Sequence, residues 1–89
     1  YAASKGGLQQ LTKWLAAHLA PKIRVNMIST IGIKNKQPSK FIKRYEKKIP
    51  LKMMCKEEDI LGVINLLASN QSKMITGQNI IIDGGFSLL

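Results

Sequence analysis

Ile75-Thr76-Gly77-Gln78-Asn79-Ile80-Ile81-Ile82-Asp83-Gly84-Gly85-Phe86 is the stretch that decides the architecture. Three consecutive isoleucines favour extended chain, where a branched Cβ packs well on a pleated surface. Their continuity, in place of an apolar–polar alternation, points to a parallel strand covered on both faces. Gly77 lies before the run and Gly84-Gly85 after it, so the strand spans residues 79–82 and ends in a turn. Asp83 at the strand exit is read as a residue that satisfies turn amides, not as a base.

A parallel strand needs a partner reached by a long crossover, and the upstream sequence supplies the parts. Residues 57–68 read as an amphipathic helix with Ile60, Val63, Ile64 and Leu67 on one stripe. Glu57, Glu58 and Asp59 put negative charge in its first turn, where the helix dipole favours it. Residues 39–48 read as a short basic helix with Phe41, Ile42 and Tyr45 inward. Pro38 and Pro50 bracket it, each disfavouring helical geometry in the residue before it. Residues 29–38 and 69–76 read as loops. Residues 23–28, from Ile23 to Ile28, read as the first strand. Residues 2–19 read as an amphipathic helix, with Leu8, Leu11, Leu15 and Leu19 at helical spacing and Trp14 beside them. Gly6-Gly7 weaken it by about 1 kcal/mol each relative to Ala, and Pro21 ends it. His18 in its last turn suits a cap-like surface role better than that of a base. Strand, helices, strand gives an α/β fold with a right-handed crossover. Two strands alone do not make a stable doubly wound sheet.

The 89 residues bound the chain to one small domain. Lys and Arg number 14 against 5 Asp and Glu, a net charge of +9. Lys34, Lys36, Lys40, Lys43, Arg44, Lys47, Lys48 and Lys52 concentrate that excess around Glu46. Such a face suits phosphates or an anionic substrate. Specific nucleic-acid binding is disfavoured, since neither zinc-ligand spacing nor a run of stacking aromatics accompanies the charge. No apolar run reaches the roughly 20 residues of a membrane span. Cys55 has no second cysteine to pair with, which fits a reducing, cytoplasmic setting. It also has no nearby His, so it reads as structural. The methionines Met27, Met53, Met54 and Met74 read as gap-filling or loop residues.

At the chain start, Tyr1 and Lys5 lie four residues apart on one helical face. A free phenol has a pKa near 10, too high for proton transfer at neutral pH. A neighbouring ammonium favours the phenolate and pulls that value down. The pair therefore has the chemistry of a proton donor and acceptor.

Tyr1-Ala2-Ala3-Ser4-Lys5, the segment Ile23 to Ile33, and Ile75 to Phe86 resemble, in this order and spacing, the short-chain dehydrogenase/reductase family. The resemblance is to the family's C-terminal part, starting at its catalytic tyrosine, and extends over essentially the whole chain. Pro50-Leu51, Glu58-Asp59-Ile60 and Leu66-Leu67-Ala68-Ser69 add to it. The pattern is nearest the 3-oxoacyl-carrier-protein-reductase-like group. The resemblance implies that residues 1–89 are the C-terminal part of a single Rossmann-like domain. They would supply the last two strands of a doubly wound parallel sheet, with the N-terminal cofactor-binding half outside this stretch.

The resemblance also implies roles. Tyr1 exchanges a proton with the substrate oxygen, as acid in reduction and base in oxidation. Lys5 lowers the tyrosine pKa and hydrogen-bonds the nicotinamide ribose. Thr30, Gly32 and Ile33 form a cofactor wall in which the Ile33 backbone holds the nicotinamide carboxamide. Here Thr30 and Ile31 replace the Pro-Gly of the family pattern Asn-x-x-x-Pro-Gly-x-Ile, while Asn26 and Ile33 are kept. A β-branched Ile31 at positive φ would be strained. Met53, Cys55 and Glu57 stand where the family often has Arg, Gly and Pro. The implied cofactor is NAD or NADP, and the implied substrate a small carbonyl compound or alcohol. A homo-oligomer, dimer or tetramer, is implied as well, with no membrane or nucleic-acid partner. The 89-residue chain by itself is expected to be inactive. The alternatives are a non-catalytic packing or oligomerisation module of a degenerate homologue, and a basic nucleic-acid or anionic-surface binder.

Overall fold

The computed structural model describes residues 2–89. The elements run α1 (Ala2–Leu19), β1 (Met27–Thr30), α2 (Ser39–Lys47), α3 (Glu57–Ala68) and β2 (Asn79–Ile82). Short 3-10 turns at Asn70–Ser72 and Phe86–Leu88 complete them. β1 and β2 pair in parallel as a two-stranded sheet, so the fold is α/β. The chain divides into two compact units, one of residues 1–28 and 65–80, the other of residues 29–64 and 81–89.

In the first unit, α1 buries Thr12 and Ala16. The Thr12 hydroxyl donates to the Leu8 carbonyl at 2.8 Å, so its polar atom costs little on that face. Ala16 lies against Gly77, whose φ of +73° suits glycine. The expected leucine stripe is not the covered face: Leu8, Leu11, Leu19 and Trp14 are exposed, Trp14 by 56 %. Small residues make the close contact here; of the expected stripe only Leu15 is half-buried, and the other large apolar residues remain open.

The expected strand at residues 23–28 is displaced, with regular pairing only from Met27 to Thr30. The reason lies in side chains. Val25 N–H donates to the Thr76 hydroxyl, and Asn26 Nδ2 donates to the Ile75 carbonyl. Asn26 Oδ1 in turn accepts the Gln78 N–H. These side-chain bonds interleave with two backbone bonds, Gly77 N–H to the Val25 carbonyl at 2.7 Å and Met27 N–H to the Gln78 carbonyl at 2.8 Å, before regular strand geometry begins at Met27.

Arg24 closes the C-terminal end of α3. Its guanidinium donates to the carbonyls of Leu67 at 2.7 Å, Ile75 at 3.1 Å and Ser69 at 3.3 Å. The last turn of α3 holds no basic residue of its own. Arg24 supplies both the donors and the positive charge that the helix end lacks. Ser72, fully buried in the 3-10 turn after α3, donates its hydroxyl to the Leu66 carbonyl at 2.7 Å.

In the second unit the core is Ile49, Met54 and Cys55. Glu46 of α2 accepts the Met54 N–H at 3.0 Å, which ties the helix to the segment behind it. Phe41, expected inward, is 48 % exposed, while Ile42 and Tyr45 are half-buried. Within α3, Ile64 is 45 % exposed, against its expected place on the packed stripe. Ile81 at the centre of the isoleucine run is 52 % exposed, so the described chain does not cover both faces of β2.

Candidate functional site

The segment leaving β1 carries the residues expected along a cofactor wall. Thr30 is the last strand residue and half-buried. Gly32 follows, exposed, and its N–H donates to the Tyr45 hydroxyl at 3.0 Å. A Cβ at Gly32 would sit 3.3 Å from that oxygen, so glycine gives Tyr45 room to reach the backbone. Ile33 bridges to Cys55 in parallel fashion, and the Lys34 N–H donates to the Cys55 carbonyl at 2.8 Å. The Ile33 carbonyl accepts Gln37 Nε2 at 2.8 Å, and Gln37 Oε1 accepts the Asn35 N–H at 2.6 Å. The segment is thus stitched to α2 and to the Cys55 region by named bonds.

Backbone strain at Ile31 does not arise. Lys52 is the non-glycine residue with positive φ among the described residues, and the positive-φ glycines are Gly77, Gly84 and Gly85. Ile31 is accommodated because neither it nor Gly32 enters the left-handed region. The sequence reading missed Tyr45 as a partner of this loop. Its signal was available only as an inward-facing aromatic on α2.

Cys55 is buried, and its thiol lies 3.6 Å from the Lys56 carbonyl. Burial first, and then the negative charge of Asp59, hold its pKa above the ordinary 9.0. A thiol kept protonated is a poor nucleophile, which agrees with a structural role. Asp59 itself accepts the Lys56 N–H at 2.8 Å, capping the start of α3.

The Asp83-Gly84-Gly85 turn holds the second unit's core. Asp83 Oδ1 accepts the Gly85 N–H and Oδ2 accepts the Ser87 N–H, both at 2.9 Å. Partial desolvation acts to raise the Asp83 pKa, but hydrogen bonds from Ser87, Gly85 and Phe86 outweigh it. The group is held below its ordinary 3.8. Gly84, at φ +61°, donates no side chain where a Cβ would stand 2.6 Å from Ile49 Cγ2. The aspartate therefore satisfies turn amides, as its place at the strand exit suggested.

In the first unit, Lys5 is exposed near the start of α1, a helix whose sequence contains no carboxylate. Tyr1 lies outside the described residues. His18 Nδ1–H donates to the Trp14 carbonyl at 2.8 Å, and the two rings stack with centroids 4.0 Å apart. That arrangement gives His18 a surface role at the end of α1. Among the described residues no group of three or more His, Cys, Asp or Glu is placed to hold a metal ion. No helix among them is long and apolar enough to cross a membrane.

Residues 1–87 match the family profile described as Enoyl-(Acyl carrier protein) reductase. The Post-translational flagellin modification protein A of Campylobacter coli is 38% identical over 99% of this chain and 35% of its own length. A 3-oxoacyl-acyl-carrier-protein reductase of Buchnera aphidicola is 40% identical over 96% of this chain and 37% of its own length. The crystal structure of a short-chain dehydrogenase from Leptospira borgpetersenii with bound NAD+ superposes with a TM-score of 0.86. It is 46% identical, over 98% of this chain and 35% of that one. The chain spans about a third of the length of these relatives. Motifs, α/β topology and similarity over nearly every residue agree, and the chain belongs to the short-chain dehydrogenase/reductase family, whose C-terminal part it carries.

Proposed function

We propose that this chain is the catalytic C-terminal part of an NAD(P)-dependent oxidoreductase that interconverts a carbonyl compound and a secondary alcohol. The observation that carries the reading is the sequence motif Tyr1-x-x-Ser4-Lys5 in a chain of this family. Tyr1 acts as the general acid toward the substrate oxygen in reduction and as the base in oxidation. Lys5 favours the phenolate through its charge, which no carboxylate on α1 opposes.

The cofactor, NAD or NADP, supplies or takes up the hydride when bound. The residues after β1 fit such a group in one concrete respect. The Ile33 carbonyl already accepts a primary carboxamide, that of Gln37, and nicotinamide carries the same functional group. Thr30, Gly32 and Ile33 form the wall in this reading, and Tyr45 holds Gly32 in place. The NAD+ bound by the Leptospira relative supports the cofactor class. A homo-oligomer in the cytoplasm is part of the same proposal, supported by the open apolar face of α1 and the unpaired thiol. The 89-residue chain by itself is proposed to be inactive, because it spans about a third of its relatives.

The test is Tyr1→Phe in the full-length polypeptide. Loss of a general acid lowers kcat by about 10²–10⁴-fold, while cofactor binding followed by nicotinamide fluorescence stays close to wild type. An unchanged kcat sinks the catalytic reading. The packing-module reading would then take its place, favoured by the exposure of Leu8, Leu11 and Trp14.

A further inference from the structure

The second unit contains a cavity that neither the β1-exit segment nor the Asp83 turn explains. Phe41, Arg44, Tyr45, Lys48 and Phe86 line about 200 Å³ of space between α2 and the C-terminal 3-10 turn. The walls are aromatic. Phe41 and Tyr45 sit one helical turn apart with ring centroids 5.7 Å apart, and Phe86 lines the same space. Tyr45 is held in place through its hydroxyl, which accepts the Gly32 N–H, so its ring is a fixed wall. Phe86 is positioned by the Asp83 turn, where its N–H donates to the Asp83 carbonyl at 3.1 Å.

Two cationic side chains, Arg44 and Lys48, line the same space. Arg44 and Lys48 follow each other at i, i+4 on the same face as the rings. The one carboxylate of α2, Glu46, accepts the Met54 N–H at 3.0 Å and is not among the residues that line the cavity. Lys52 donates its ammonium to the Lys47 carbonyl at 2.7 Å, so its charge is directed elsewhere. An aromatic hollow lined also by two cations suits a molecule of the complementary kind.

We propose that this cavity binds an anionic amphiphile: a carboxylate or phosphate head gripped by Arg44 and Lys48, and a medium-length apolar body against Phe41, Tyr45 and Phe86. The guanidinium takes the head through paired N–H donors, and the ammonium adds a second charge. The site draws on no role assigned to Tyr1 or Lys5. It is read by binding alone, with no nicotinamide cofactor added, so its failure leaves the oxidoreductase reading untouched.

The experiment is a titration of the isotope-labelled full-length protein with octanoate, octyl phosphate and octanol, followed by two-dimensional NMR. Saturable binding of one or both anions is expected, with shifts at Phe41, Tyr45 and Phe86, and the tighter anion identifies the head group. Octanol should bind about tenfold more weakly, the size of one lost charge-assisted contact. Arg44→Gln with Lys48→Gln should weaken the anion by at least the same factor, and added salt should weaken it further. Both changes are at exposed side chains, and circular dichroism checks the fold. The wild-type shift map decides the matter should the double variant misfold. Octanol binding as tightly as octanoate, shifts confined to other residues, or binding to phosphatidylglycerol vesicles without binding to either soluble anion would each overturn the proposal.

Discussion

Gly84 shows how much one missing side chain can decide. Its φ of +61° is costly for any L-residue, and a Cβ would meet Ile49 Cγ2 at 2.6 Å. Ile49 is 0 % exposed and has nowhere to move. Gly84→Ala is therefore expected to destabilise the protein by about 2–5 kcal/mol, summing left-handed strain and overpacking. Urea denaturation measures it, and a loss below about 1 kcal/mol would mean that the turn relaxes around the methyl. The neighbouring Asp83 makes stability depend on pH. Its folded pKa lies below the ordinary 3.8. Its contribution is then fully present above that ordinary value and fades as pH falls through the lower, folded one. Asp83→Asn should be less stable than wild type at pH 7. The difference should shrink at pH values below about 4. A constant difference across that range would show that the amide loses geometry alone.

At the scale of elements, α3 illustrates a helix completed from outside itself. Its start is local, with an acidic first turn and the Asp59 bond to the Lys56 N–H. Its end depends on Arg24, 43 residues away at the Leu67 carbonyl, and on Ser72. Arg24→Met keeps the apolar stem and removes the donors. It is expected to cost about 1.5–3 kcal/mol, the range for hydrogen bonds to a charged group. Hydrogen exchange should show the loss first at the end of α3 and around Ile75. Uniform loss across the chain would argue against a local clamp. The β1 element has the same lesson. Local composition favours a strand over 23–28, but Arg24, Val25 and Asn26 are already committed to residues 67–78 by side-chain bonds.

Across the whole chain, the distribution of apolar surface is the dominant fact. α1 exposes Leu8, Leu11 and Trp14, and β2 exposes Ile81. A chain of 89 residues buries only about 60–65 % of the surface it exposes when unfolded, and contiguous apolar faces of this kind mark sites that other protein covers. For α1 the proposed cover is a second copy. Leu11→Lys with Trp14→Glu should lower the mass measured by light scattering in the full-length protein from oligomer to a smaller species. An unchanged mass would assign this face to the polypeptide's own remaining residues.

What the sequence alone determined was whatever rests on local spacing. Helices at 2–19 and 57–68 and the strand at 79–82 match the observed bounds, because heptad-like apolar spacing, an acidic first turn and a β-branched run act within a few residues. The family was legible for the same reason, since its motifs are short and ordered. Asp83 as a turn residue and Cys55 as a structural thiol were legible from neighbours in the chain. Tertiary structure alone decided which face of α1 is covered, where β1 begins, and that Arg24 completes α3. It also decided that Tyr45 holds Gly32 and that Ile31 escapes strain. Each of these depends on partners 13 to 61 residues apart or on a backbone angle chosen by packing. Side-chain spacing along one element carries no record of which distant donor will meet its unsatisfied carbonyls.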